Sequence, residues 1–302
     1  SGLPFTKDHM IMTVGAAGGI NVALKALLDP GNEVIVPNPF FVEFKFYIEN
    51  HGGSMKLVDT LEDFHLDIEK IEKAINKKTK AIIINSPHNP TGVVYNEEEL
   101  KDLAALLRKR REKGQRIFIL ADEAYRKIIY NGTVLPDLFN LYEDTIVITC
   151  HSKDLALPGE RIGHIAISPL IKNLRPLIDA MIFANRILGF INAPALMQRL
   201  VRRFQRNSVD IMDYQRKRDA IYRILVESGF NVTKPLGAFY IFPQSPIPDD
   251  IQFVRTLQQH HILAVPGIGF GKPGYFRLAY CVEMDIIERS EKYFREIIPK
   301  TR

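Results

Sequence analysis

Through its first two-thirds the chain alternates short apolar runs with amphipathic stretches, and that alternation constrains the fold more than any other feature. Strand-like runs occupy Glu33–Pro37, Met55–Val58, Lys80–Asn85, Arg116–Ala121, Thr145–Cys150 and His164–Ser168. Helix-like runs occupy Ala17–Leu28, Val42–Asn50, Leu66–Ile75, Glu97–Arg111 and a segment after Pro169. Strands that are apolar along their length need cover on both faces, and the intervening helices supply it. The expectation is an α/β chain whose large domain, residues 1–208, holds a mostly parallel sheet sandwiched by helices. From about Asn207 the pattern changes. A long basic amphipathic helix, Val209–Ser228, leads into strand-like Asn231–Lys234, Ala238–Phe242, Leu263–Val265 and Tyr275–Tyr280, with helices at Ile251–His260 and from Met284. That predicts a smaller C-terminal α+β domain, residues 209–302. At 302 residues the chain exceeds one ordinary core, so two units are natural.

Composition removes several function classes. Apolar residues make up 46% and charged residues 25%, which fits a packed globular protein and not a disordered one. No apolar run approaches the ~18 residues that span a bilayer, so no membrane partner is expected. Ser1-Gly2-Leu3-Pro4-Phe5 carries neither the basic nor the apolar region of a signal peptide. Two cysteines, Cys150 and Cys281, make no disulfide framework, and without a CxxC pair no zinc site is expected. A reducing, cytoplasmic setting follows. The basic run from Arg108 to Arg116 lacks interleaved aromatics and any nucleic-acid reader motif. It reads as a helix end whose cations complement the dipole before Gly114, so no nucleic-acid partner is expected.

In open α/β sheets ligands gather at the carboxyl ends of the strands. Three strand-like runs deliver polar residues there: Asn89 after Lys80–Asn85, Asp122 after Arg116–Ala121, and Lys153 after Thr145–Cys150. Tyr125 lies three residues beyond Asp122, and Ser152-Lys153 is followed at fixed spacing by Arg161 and Gly163. Gly15-Ala16-Ala17-Gly18-Gly19 precedes a helix whose first amides would favour an anion. Each feature also has an ordinary reading. Asp122 could cap a helix, Tyr125 and Phe41 could simply pack, Asn89 could serve its Asn-Pro-Thr-Gly turn, Arg161 could lie on the surface, and the glycines could make a tight strand-to-helix turn. Together, in this order, they point to a site that holds pyridoxal phosphate.

The SK-x7-R-x-G spacing and the residues upstream of it resemble the class I and II aminotransferases, the aspartate aminotransferase superfamily of fold-type I pyridoxal-phosphate enzymes. The similarity runs the length of the chain. It implies pyridoxal 5′-phosphate as cofactor and a ping-pong exchange of an amino group between an α-amino acid and a 2-oxo acid. Lys153 would form the Schiff base and shuttle the proton between Cα and C4′. Asp122 would keep the pyridine nitrogen protonated. Tyr125 and Asn89 would hydrogen-bond the 3′ oxygen, and Phe41 would stack on the ring. Arg161, Ser152 and the amides of Gly15, Ala16 and Ala17 would bind the phosphate, with Cys150 at a position where relatives often carry a hydroxyl. Arg277, with Asn89, would bind the substrate α-carboxylate, and Gly267–Gly271 resembles the loop leading into its strand.

The resemblance also implies a homodimer with the active site at the subunit interface, and Asn192-Ala193-Pro194 would border the partner's phosphate site. Arg186 lies near the region from which some relatives send a second arginine to a distal carboxylate. Relatives usually carry a further N-terminal segment that supplies an arm, part of the small domain and dimer contacts. Here the glycine loop comes almost at once, so a truncated chain, a disordered start or a short form is expected, and substrate closure depends on which. Two other functions share the residue set: a β-lyase or decarboxylase on the same framework, and a cofactor-binding regulator with little turnover.

Overall fold

The computed structural model describes residues 1–297; the last five residues of the expected small domain, 298–302, lie outside the described residues. Seven strands form the main sheet: β1 (Met10–Thr13), β2 (Glu33–Asn38), β3 (Ser54–Asp59), β4 (Thr79–Asn85), β5 (Phe118–Asp122), β6 (Thr145–Cys150) and β7 (Gly163–Ile167). Their order is β1-β7-β6-β5-β4-β2-β3. β2 to β6 run parallel, whereas β7 runs against both of its neighbours, β6 and β1. The mostly parallel sheet expected from the sequence is therefore present.

Helices cover both faces. One face packs against α1 (Gly15–Leu27), α2 (Glu43–Glu49) and α7 (Leu174–Ile187), the other against α3 (Ile68–Ala74), α4 (Glu97–Glu112) and the short α5 (Leu138–Leu141). Successive strand side chains go to opposite faces. Ala81 and Ile83 of β4 join the α1 side, while Ile82 and Ile84 join the α4 side. Each fully buried isoleucine contributes about 1.5–3 kcal/mol, which is why these runs are apolar at every position. Asn96 and Glu99 form a reciprocal cap at the start of α4. The basic run at its end is structural, as expected: Arg108 and Arg111 pair with Glu143, and Arg111 and Arg116 with the buried Asp144.

The C-terminal core is built by α9 (Ile211–Glu227), α10 (Asp250–Gln259), α11 (Met284–Ile297) and a three-stranded antiparallel sheet ordered β8 (Tyr240–Ile241), β10 (Phe276–Ala279), β9 (Val265–Pro266). Tyr125, Ile128 and Tyr130, from the segment after β5, belong to this second core. The expected strand at Asn231–Lys234 is not formed. Pro235 has no N–H to give a ladder, and the amides of Leu236 and Gly237 donate instead to the Gly92 carbonyl at 2.8 and 2.9 Å. Five α-helices or β-strands were not predicted with bounds: β1, too short to show a period; α5 and α6 (His151–Asp154), each a single turn; α7, expected only as a segment after Pro169; and α8 (Ala195–Arg203), whose burial is confined to Val201. Other ends shift by no more than two residues, within the usual spread at element termini.

Gly92 shows how tightly the Asn89 turn is held. Its φ is +74°, and a Cβ there would lie 2.5 Å from Pro235 Cβ and 2.9 Å from the Tyr240 carbonyl oxygen. Gly92→Ala is expected to destabilise the protein by about 2–4 kcal/mol, combining left-handed strain with overpacking. Urea unfolding measures this directly, and a midpoint equal to wild type would contradict it.

Candidate active site

Strand register brings the polar residues to one edge. Asn85 of β4 lies opposite Asp122 of β5, which lies opposite Ile148 of β6; Gly163 of β7 pairs with Cys150 of β6 and Thr13 of β1. At this edge is a cavity of about 290 Å³. Ala16, Ala17, Phe41, Asn89, Asp122, Tyr125, Cys150, Ser152, Lys153, Arg161 and Arg277 all line it. Gly15 does not line it, but stands directly behind Arg161: a Cβ on Gly15 would meet Nη2 at 2.6 Å.

The α1 side of the cavity suits an anion. Val14 gives α1 no side-chain cap and the first turn holds no acid, so no carboxylate competes for the positive helix end. Arg161 is held in the left-handed region, φ +49°, and donates from Nη1 to the Pro158 carbonyl at 2.7 Å. That backbone strain is a cost the local fold bears to aim the guanidinium. Lys153, on α6 beside Ser152, has its Nζ 5.8 Å from the Tyr125 ring and 5.3 Å from the Phe239 ring.

Asp122 is the electrostatic centre. Burial pushes its carboxyl up to about 7, against the opposing effects of the Ala124 N–H and the Lys153 charge. Among the described residues no cation comes within ion-pair distance, 4.0 Å, of it. Asn85 ties the edge together: its Nδ2 donates to the Asp122 carbonyl at 3.0 Å, and its Oδ1 accepts from the Asn89 N–H at 2.8 Å. Across the cavity, Arg277 Nη1 donates to Asn89 Oδ1 at 2.9 Å, and its guanidinium lies 4.3 Å from the Tyr240 ring centre and 4.7 Å from that of Phe270. Phe276 and Leu278 point into the C-terminal core, so strand alternation turns Arg277 to the cavity. Tyr125 donates to the Tyr240 hydroxyl at 3.3 Å, and burial holds its own hydroxyl well above the usual range.

Sequence reasoning missed Asn85, Tyr240, Glu43 and Tyr47, all of which line the cavity. Asn85 carried a signal, as the polar end of an otherwise apolar strand. Glu43 and Tyr47 sit one turn apart on α2, and Tyr47 donates its hydroxyl to Glu43. Tyr240 gave none, because its position depends on packing between distant segments. Arg186 and Asn192 are exposed and do not line this chain's cavity.

These features fit pyridoxal phosphate. A buried acid with no cation in ion-pair contact among the described residues suits a protonated ring nitrogen, and the uncapped helix start with Arg161 suits a phosphate. Lys153 reaches the space between. Among the described residues no group of three or more His, Cys, Asp or Glu side chains could hold a metal ion, and no helix is long and apolar enough to cross a membrane.

Comparison with known proteins agrees with this geometry. Residues 1–289 match the family described as aminotransferase class I and II. A probable aspartate aminotransferase of Methanocaldococcus jannaschii is 36% identical, over 98% of this chain and 79% of its own length. An aspartate/prephenate aminotransferase of Thermus thermophilus is 31% identical, over 99% of this chain and 77% of its own. Among solved structures, an aminotransferase from Eubacterium rectale superposes with a TM-score of 0.95 at 38% identity, covering 98% of this chain and 75% of that one. The aspartate aminotransferase of Thermotoga maritima superposes with a TM-score of 0.85 at 29% identity, covering 96% and 76%. All four are named as aminotransferases, not as lyases, decarboxylases or regulators. The chain belongs to the class I and II aminotransferases, which use pyridoxal phosphate to exchange an amino group between an amino acid and a 2-oxo acid.

Proposed function

We propose that this cavity is where the exchange takes place and that its residues divide the work as follows. Bound there, pyridoxal phosphate supplies an aldehyde that joins to amines and a ring that withdraws electrons from the substrate Cα. Arg161, Ser152 and the first amides of α1, at Gly15, Ala16 and Ala17, bind the phosphate. Cys150 borders that end of the cavity. Asp122 holds a proton on the pyridine nitrogen, and Phe41 supports the ring face. Tyr125 and Asn89 hydrogen-bond the 3′ oxygen. Lys153 is the amine that would hold the aldehyde, and as a free amine it would move a proton at the substrate Cα.

Arg277 receives the α-carboxylate, already aimed by Asn89 and by the aromatic rings of Tyr240 and Phe270. The observation that carries the reading is this convergence: one lysine, one buried acid and two arginines around a single cavity at one sheet edge. It favours an α-amino acid as donor and a 2-oxo acid as acceptor. A donor–acceptor screen of the reconstituted chain, following the amino form of the cofactor and the oxo acid released, tests it. Release of CO2 or pyruvate by elimination would overturn it.

Arg277→Lys provides a sharper test. Lysine keeps the charge but loses the paired planar donors. At about 1.5–3 kcal/mol for a charged hydrogen bond, KM for amino acids is expected to rise roughly 10- to 100-fold, with kcat changed less. A KM within about threefold of wild type, well below that range, would remove Arg277 from the carboxylate site.

On the same reading, residues 1–208 form the cofactor domain and 209–302 the smaller domain, of which 298–302 lie outside the described residues. A homodimer is also proposed. The stretch from α7 to α8 exposes Phe183, Ile187, Ile191 and Leu196, the kind of apolar patch that marks an interface between protein chains. A cytoplasmic setting accords with Cys150 and Cys281, both unpaired.

A further inference from the structure

Asp154, the residue after Lys153, is buried and sits at a junction of three segments. Its Oδ2 is 3.1 Å from Lys127 Nζ and 3.3 Å from His151 Nδ1. Its carbonyl accepts from the Val209 N–H at 2.7 Å. Lys127 Nζ also donates to the carbonyls of Gln205 at 2.9 Å and Asn207 at 3.1 Å. Residues 204–210 join α8 to α9, the first helix of the C-terminal core. Lys127 itself follows Asp122 and Tyr125 along the chain. One ammonium therefore links the turn that bears Lys153, the segment that bears Asp122, and the connection to the C-terminal core.

Asp154 Oδ1 is buried with no hydrogen-bond partner, and an unsatisfied buried oxygen costs roughly 1–3 kcal/mol. What the junction supplies is geometry. Lys153 Nζ lies 5.8 Å from the ring of Tyr125 and 5.3 Å from that of Phe239, both in the C-terminal core. Fixing the backbone one residue further on to the connecting segment fixes where that amine can point.

We propose that Asp154 and Lys127 are positioning residues that couple the aim of Lys153 to the connection between the two cores. The inference rests on the reading of Lys153 as the cofactor-bearing amine. The charged and titratable groups facing Asp154 are His151 on its own turn, Lys127 after β5 and His164 on β7; Arg126 faces His164 and pairs with Glu123 at 3.6 Å. Burial holds His164 down at about 4, so it stays neutral and does not compete with Lys127 for the carboxylate.

The test uses the full chain reconstituted with pyridoxal phosphate, as wild type, Lys127→Met, Lys127→Arg and Asp154→Asn. Four quantities are measured: Tm, kcat, KM for the amino donor, and the pH midpoint of the cofactor absorbance, which reports the environment of the lysine attachment. A misplacement of about 1 Å can cost ~100-fold in rate. Lys127→Met and Asp154→Asn are expected to lower kcat about tenfold, to leave KM within about twofold and to shift the midpoint, with Lys127→Arg recovering most of the loss. Variants that lose thermal stability but keep wild-type kcat and midpoint would overturn the proposal. Wild-type protein whose borohydride-fixed cofactor is not on Lys153 would instead overturn the assignment of Lys153, which separates the two failures.

Discussion

Lys153→Ala is expected to bind cofactor without fixing it and to lose turnover. Borohydride should leave no cofactor on the denatured chain, and kcat should fall by at least about 10⁴-fold, the upper range for a positioned acid–base group. Two functions disappear in one substitution. On the proposed assignment, the amine that would hold the aldehyde ready for exchange is gone, and so is the group that would move the proton at Cα. The change is otherwise mild: Lys153 heads no buried network, and its ammonium rests against the rings of Tyr125 and Phe239. Folding should be retained, so the loss is chemical. Added small amines should recover part of the rate, since they can replace the proton carrier but not its placement. Transamination at wild-type rate in this variant would dismiss Lys153 as the reacting amine.

Asp122→Asn should produce opposite effects on activity and on the stability of the cofactor-free protein. Asparagine keeps the shape but cannot hold a proton on a ring nitrogen through charge. A fall in kcat of about 10²–10³-fold is expected, comparable to removing one preorganised electrostatic group from an active site. Stability changes the other way. Burial raises the Asp122 carboxyl from the usual aspartate range to about 7, so between those values the folded state holds a proton that the unfolded chain has released. Asp122's contribution to the stability of the cofactor-free wild type is therefore lost as pH rises through that window, and its full penalty is present above about 7. The asparagine variant lacks this slope. Urea unfolding of both proteins at pH 5 and pH 8 measures it, and parallel pH dependences would show that Asp122 is not the group responsible. Cofactor binding should remove the slope from wild type, because a protonated nitrogen gives the carboxylate its missing partner.

The sheet was legible because its strands are apolar on both faces, as β4 illustrates: Ile82 and Ile84 face one core and Ala81 and Ile83 the other. The cavity residues were legible because strand ends deliver them locally, and Asn89, Asp122 and Lys153 each follow a strand within a few residues. What escaped had no local signature. Tyr240 enters the site through contacts between segments more than a hundred residues apart, such as its hydroxyl against that of Tyr125. Asn231–Lys234 has the composition of a strand, but Pro235 and the Gly92 carbonyl redirect its hydrogen bonds. Glu43 and Tyr47 were passed over because an amphipathic helix gives no sign of which exposed side chains border a cavity.

The reversal of β7 has a consequence for how this site can vary. Because β7 starts at the edge where β6 ends, the path from Cys150 to Gly163 leaves and returns to the same point. Lys153 and Arg161 both lie on that path, and Thr13, ahead of the α1 helix start, is clamped against Gly163. The distance between the proposed reacting amine and the proposed phosphate anchor is thus set by the length of a closed loop, not by the packing of two independent elements. Loop residues that neither line the cavity nor join the Asp154 junction can be exchanged for others with modest effect. Adding or deleting one would leave the sheet intact and put the two ends of the cofactor out of step.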